Sequence, residues 1–139
     1  ETAPIINIHF KLKENGFNKD YYALMGSKIH WVFNKKTHLN LVISAGNEFL
    51  KMNDEEIYDF ATSELQNYFP CFYKSLITDF IVIKEKRAAF MSTTESSAIR
   101  KKVKENIGNL FIAGDWTNTD LPSTIESAAK SGRISAGKI

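Results

Sequence analysis

The sequence predicts an α+β fold: an antiparallel or mixed sheet carrying one helix, followed by a strand–helix pair near the C-terminal end. Three observations carry this. Runs rich in β-branched and aromatic residues recur at 5–10, 28–34, 39–45 and 76–86, the signature of strands. A capped, helically spaced apolar stripe begins after Asn53. Finally, the apolar run Leu110-Phe111-Ile112-Ala113 closes on Gly114, and a second helical stretch opens just after Pro122.

In chain order, Glu1-Thr2-Ala3-Pro4 lacks an initiator methionine and leads at once into the first strand, at 5–10. Such a start is expected of a cut through a longer chain. Residues 13–22 are polar, contain Gly16 and read as a loop. The runs at 28–34 and 39–45 are joined by Lys35-Lys36-Thr37-His38 and should pair as an antiparallel hairpin. Asn53 and Glu56 form a capping box. Behind it Ile57, Phe60, Ala61, Leu65, Tyr68 and Phe69 share one helix face, and Pro70 follows the end. That stripe is expected to pack in a core rather than to hold a cofactor. The strand at 76–86 is apolar on both faces between Phe80 and Ile83, which predicts cover on both sides. Residues 92–97 read as a polar crossing segment. The basic group Arg100, Lys101, Lys102 and Lys104 reads as a solvated face. Residues 110–113 suit a short buried strand.

The last segment combines two signals. Ser123 and Glu126 make a second S-x-x-E capping box, which starts a helix at about Thr124; Gly137 is placed to end it. The first amides of that helix have no intrahelical partner and sit at the positive end of the dipole. A strand, a tight acidic turn and a helix N-terminus together suit ligand oxygens. Along the helix Ala128, Gly132 and Ala136 lie four apart, with Ser127, Ser131 and Ser135 repeating beside them. Such a face admits a sheet, another backbone or a flat ligand, and tight helix–sheet packing alone would also account for it.

Composition excludes several function classes. A formal net charge of +2 is too small to imply nucleic acid. The single cysteine, Cys71, forms no internal disulfide and fits a reducing, cytoplasmic compartment. No apolar run has the length of a membrane span. His9, His30 and His38 show no metal-ligand spacing among themselves or with Cys71, so no metal is expected. The 139 residues contain neither a G-x-S-x-G elbow nor a P-loop, and their seven glycines form no G-x-G-x-x-G. No side chain stands out as catalytic.

The run Leu110-Phe111-Ile112-Ala113-Gly114-Asp115-Trp116-Thr117, followed by Leu121-Pro122-Ser123-Thr124-Ile125-Glu126-Ser127-Ala128 and Ser131-Gly132-Arg133, resembles a known motif. It is the C-terminal FAD-contacting motif of carotenoid and squalene desaturases, within the flavin amine oxidase superfamily. The likeness is strongest to the squalene-associated desaturases, which include hydroxysqualene dehydroxylase. Ile29-His30-Trp31-Val32-Phe33-Asn34, Leu41-Val42-Ile43-Ser44-Ala45 and Lys84-Glu85-Lys86-Arg87-Ala88-Ala89-Phe90 resemble that family in the same order. The resemblance spans nearly the whole chain but only the C-terminal part of a complete member.

It implies that residues 1–90 belong to a substrate-binding domain. Residues 91–139 would be the C-terminal segment, a strand and a helix, of a Rossmann-like FAD-binding domain. It implies a cofactor site at Gly114, Asp115, Trp116, Ser123, Thr124 and Ile125. Gly114 would let the cofactor approach and Asp115 would accept from a hydroxyl. Thr124 and Ile125 would aim a backbone amide at the flavin's pyrimidine carbonyl. The family pattern carries glycines where this chain has Asp120 and Ser127. The implied activity is hydride transfer between flavin and an apolar isoprenoid, with peripheral membrane contact among its consequences. The family's nucleotide fingerprint lies in an N-terminal half absent from this sequence, so the chain alone is expected not to retain FAD. It is also expected to self-associate through a bare apolar face. Two alternatives stay open: a flavin amine or porphyrinogen oxidase fragment, or a binding module that has lost flavin chemistry.

Overall fold

A computed structural model describes residues 1–103 and 108–138; Lys104, one of the basic group, lies outside them. The chain forms two compact units, Thr2–Ala88 and Ala89–Ile139, the second also taking in Glu1.

The first unit is a five-stranded sheet: β1 (Thr2–Leu12), β2 (Tyr21–Ala23), β3 (Trp31–Asn34), β4 (His38–Ser44) and β5 (Ile77–Phe90), in the spatial order β2-β3-β4-β1-β5. All neighbours run antiparallel. The hairpin β3–β4 pairs Trp31 with Val42 and Phe33 with Asn40, and β1 joins β4 with Ile6 opposite Ile43 and Ile8 opposite Leu41. β5 closes the far edge, where Lys13 N donates to Leu76 O at 2.9 Å and Thr78 Oγ1 donates to Lys11 O at 3.2 Å. The short β2, inside the stretch expected to be loop, pairs Tyr21 with Phe33.

Period-2 alternation decides the two faces. Ile6, Ile8, Phe10, Leu39, Leu41 and Ile43 point to one side and are buried against α1 (Asp54–Tyr68). This helix starts as expected: the Asn53 side chain accepts from Glu56 N at 2.9 Å and Glu56 Oε2 accepts from Asn53 N at 2.7 Å. Ile57, Ala61 and Leu65 are fully buried; Phe60 and Phe69 are half-buried, and Tyr68 lies at the margin. β5 departs from expectation. Phe80 and Val82 pack on the core, but Ile81 and Ile83 are 59% and 50% exposed. The apolar centre of an edge strand is thus covered on one side, because α1, the only α-helix among the described residues of the unit, packs on that face.

The second unit holds α2 (Thr94–Lys102) and α3 (Ile125–Ala136). α2 replaces the expected polar crossing segment. Thr93 and Ser96 cap it reciprocally, with Ser where the commoner box has Glu or Gln, and Arg100, Lys101 and Lys102 sit at its negative C-terminal end. Residues 110–113 are not a strand. A strand exists by pairing, and no strand among the described residues lies beside them. α3 ends at Gly137, as expected.

Candidate functional site

The turn between residues 114 and 124 brings together most of the residues singled out from the sequence. Gly114 N donates to Ser131 Oγ on α3 at 2.8 Å, and Gly114 O accepts from Thr117 N at 3.1 Å and Thr117 Oγ1 at 2.8 Å. A Cβ on Gly114 would lie 2.3 Å from the indole Nε1 of Trp116. A side chain here would displace the Trp116 ring, which lies against the Gly114 Cα. Trp116 itself is 45% exposed. The Asp115 carboxylate accepts from Ser123 Oγ, which ties the turn to the entry of α3.

That contact corrects the expected cap. Ser123 is spent on Asp115, and the N-cap is Thr124, whose side chain accepts from Ser127 N at 3.4 Å. α3 therefore begins at Ile125, one residue later than the Ser123–Glu126 box implied. Either hydroxyl could have capped; the Asp115 carboxylate competes for the first of them. Thr124→Ala should then lower stability by about 1 kcal/mol through loss of a cap, whereas Ser123→Ala should leave α3 intact and free the Asp115 side chain. Chemical denaturation of both variants, followed by circular dichroism, checks this; a larger loss for Ser123→Ala would restore the original box.

The serine stripe of α3 faces the turn. Ser127, Ser131 and Ser135 are buried, and Ser135 Oγ donates to Ile112 O at 2.6 Å. Ser127 Oγ donates to Asp115 O at 3.3 Å and accepts from Thr119 Oγ1 at 2.6 Å. The other stripe is uncovered: nothing lies within 4 Å of a Cβ built on Gly132, Ala136 is exposed and Ile125 is 90% exposed. Asp120 adopts φ 61°, the left-handed conformation. Glycine adopts this conformation most readily, and Asp is among the few other residues that tolerate it.

Arg100 was not legible as part of this arrangement. It is half-buried, with its guanidinium over the Phe90 ring at 5.6 Å. Nη2 donates to Asp115 O at 2.8 Å and Thr117 O at 2.7 Å, Nε donates to Thr117 O at 3.1 Å, and Nη1 donates to Leu121 O at 3.0 Å. Of the described members of the basic group, Lys101 and Lys102 form the solvated face that was expected, and Arg100 does not. With these carbonyls drawn in, the N–H groups of Trp116 and Asn118 have no partner among the described residues, and neither do those of Ile125 and Glu126 at the helix start.

The first unit contributes a different surface. On the sheet face opposite α1, Trp31 stacks on Phe33 at 6.1 Å and meets Tyr21 at 6.0 Å, while the exposed Ile81 and Ile83 lie on β5 at the other edge of the sheet. His9 and His38, scattered in sequence, come within 5.8 Å on this face because β1 and β4 are in register. Burial and the neighbouring His38 hold the His9 imidazole below its usual range. Among the described residues no three His, Cys, Asp or Glu side chains converge for a metal. His30 Nδ1 accepts from Ser44 N at 3.1 Å, an ordinary strand hydrogen bond. No described helix is long and apolar enough to cross a membrane.

Hydroxysqualene dehydroxylase of Zymomonas mobilis is 33% identical over 132 residues, covering 95% of this chain and 31% of that protein. The Sinorhizobium fredii hydroxysqualene dehydroxylase is 29% identical, covering 98% of the chain and 32% of its own length. The 15-cis-phytoene desaturase of Capsicum annuum is 26% identical over 99% of the chain and 27% of its length. The chain thus spans about a third of the length of such relatives. In fold it is similar to a putative protoporphyrinogen oxidase from Exiguobacterium, with a TM-score of 0.68 at 9% identity, over 98% of this chain and 34% of that one. The flavin containing amine oxidoreductase family matches residues 2–139, and the chain belongs to that family.

Proposed function

We propose that this chain is the C-terminal part of an FAD-dependent oxidoreductase that acts on an isoprenoid hydrocarbon or alcohol. Thr2–Ala88 would supply part of the substrate-binding domain, and Ala89–Ile139 the C-terminal segment of the FAD-binding domain. The family is flavin-containing, and relatives at 26–33% identity are named for hydroxysqualene and phytoene. The aromatic cluster of Tyr21, Trp31 and Phe33 at one edge of the sheet, and the exposed Ile81 and Ile83 at the other, suit a substrate with few polar atoms.

The observation that carries the cofactor reading is the joint between turn and helix. Asp115 is anchored by Ser123, and unspent amide N–H groups lie on both sides of it: Trp116 and Asn118 in the turn, Ile125 and Glu126 at the helix start. These donors and one carboxylate fit a cofactor rich in hydroxyl and phosphate oxygens, and the bare Gly132 side of α3 leaves room for a flat group. FAD, when bound, supplies hydride exchange at flavin N5. The chain's own residues hold and orient. Asp115 accepts from a cofactor hydroxyl, the turn amides donate to its oxygens, and the first amides of α3 favour negative charge beside them.

The test is Asp115→Ala in the protein completed by its nucleotide-binding part. Losing a charge-assisted hydrogen bond of about 1.5–3 kcal/mol should weaken FAD affinity roughly ten- to a hundredfold with the fold intact. Normal FAD affinity in the variant, combined with early melting, would make Asp115 a structural turn residue and remove the assignment.

A further inference from the structure

Arg100 spends its fork on three separated carbonyls of the candidate cofactor turn, those of Asp115, Thr117 and Leu121, at 2.7–3.1 Å. A fourth contact reaches Ser127 Oγ on α3 at 3.4 Å, and the guanidinium plane is backed by Phe90 at 5.6 Å. Backbone carbonyls of a turn ordinarily face water. Here they converge on one cation. In a trans peptide the N–H points opposite to the C=O. Drawing in the carbonyls of Asp115 and Thr117 therefore turns the amides of Trp116 and Asn118 away from the guanidinium, and both are without a partner among the described residues. Among the described residues, the only other side chain that bonds any of these carbonyls is Ser127, through Asp115 O alone.

We propose that Arg100 is the positioning residue of this site: by gathering the Asp115, Thr117 and Leu121 carbonyls it sets the turn so that the Trp116 and Asn118 amides and the Asp115 carboxylate face the cofactor. The proposal rests on the FAD reading above. It requires the planar fork itself. Lysine keeps the charge but offers one compact ammonium, which cannot bridge three carbonyls spread over seven residues. The neighbouring Lys101 and Lys102 are exposed and cannot substitute.

The experiment compares Arg100→Ala and Arg100→Lys, with Lys101→Gln as control. Two readouts are taken. The first, on the chain itself and without cofactor, is the amide resonances of residues 114–121 and the indole N–H resonance of Trp116. The second is FAD affinity in the protein completed by its nucleotide-binding part, without and with millimolar ethylguanidine. Both Arg100 variants should shift the turn resonances while leaving those of Thr2–Ala88 in place, and should weaken FAD at least tenfold. Ethylguanidine, but not ethylammonium, should restore Arg100→Ala in both readouts, which a variant that merely fails to fold would not show. Unmoved turn resonances, normal affinity in Arg100→Ala, or equal function in Arg100→Lys would each overturn the proposal. Should Asp115→Ala weaken FAD while Arg100→Ala does not, the positioning role alone fails; should neither variant affect FAD, the cofactor reading fails with it.

Discussion

Phe10→Ala is expected to destabilise the sheet unit by about 3–5 kcal/mol, the usual cost of emptying a buried aromatic site. Phe10 has no exposed surface, and its ring meets Tyr58 of α1 edge-on at 5.6 Å. Tyr58 in turn lies 4.5 Å from the Phe80 ring on β5. Through Tyr58 the Phe10 ring on β1 is thus coupled to both the covering helix and the edge strand β5. The flanking β1 residues Ile6 and Ile8 are fixed by their own ladder bonds to β4 and cannot collapse into the void. The control is Ile81→Ala, on the uncovered face, which should change stability by less than about 0.5 kcal/mol. Urea unfolding of both variants, followed by circular dichroism, decides it. A loss below 1 kcal/mol at Phe10 would mean that α1 does not clamp the sheet as described.

Much of this sheet was legible because strand signals are local. Alternation at 5–10 and across the 28–45 hairpin fixes which residues face α1, and Asn53 with Glu56 fixes where α1 starts. What depends on partners was not legible. The run at 110–113 has strand composition, yet its state is set by whether another strand lies alongside. Ile81 and Ile83 have the apolarity of a covered strand but stand on the face without a helix. β2 is three residues long, and its pairing to β3 leaves no periodic trace. At the site, Gly114, Asp115 and the helix after Pro122 could be read directly. The choice of Thr124 over Ser123 as cap could not, because it turns on a carboxylate eight residues earlier. Arg100 was hidden by its company: beside Lys101 and Lys102 a guanidinium reads as surface charge, and only the fold shows three carbonyls waiting for it.

Ser127→Leu is the substitution expected to cost most in the second unit, because two losses add. Ser127 has no exposed surface, and its hydroxyl pairs with Thr119 Oγ1, which is 2% exposed. Removing it leaves the Thr119 hydroxyl buried without that partner, at roughly 1–3 kcal/mol. A leucine must also be accommodated against the backbone of residue 115, now within hydrogen-bond distance of the serine oxygen, and overpacking adds about 1–3 kcal/mol. Ser127→Gly isolates the first loss, since it adds no volume and leaves a gap that a water can enter to serve Thr119. The expected order of stability is therefore wild type, then Ser127→Gly, then Ser127→Leu. Guanidinium unfolding with amide exchange across α3 measures it. If Ser127→Leu proved as stable as wild type, the serine stripe could not be the packed face of α3, and the open Gly132 stripe would have to be the covered one.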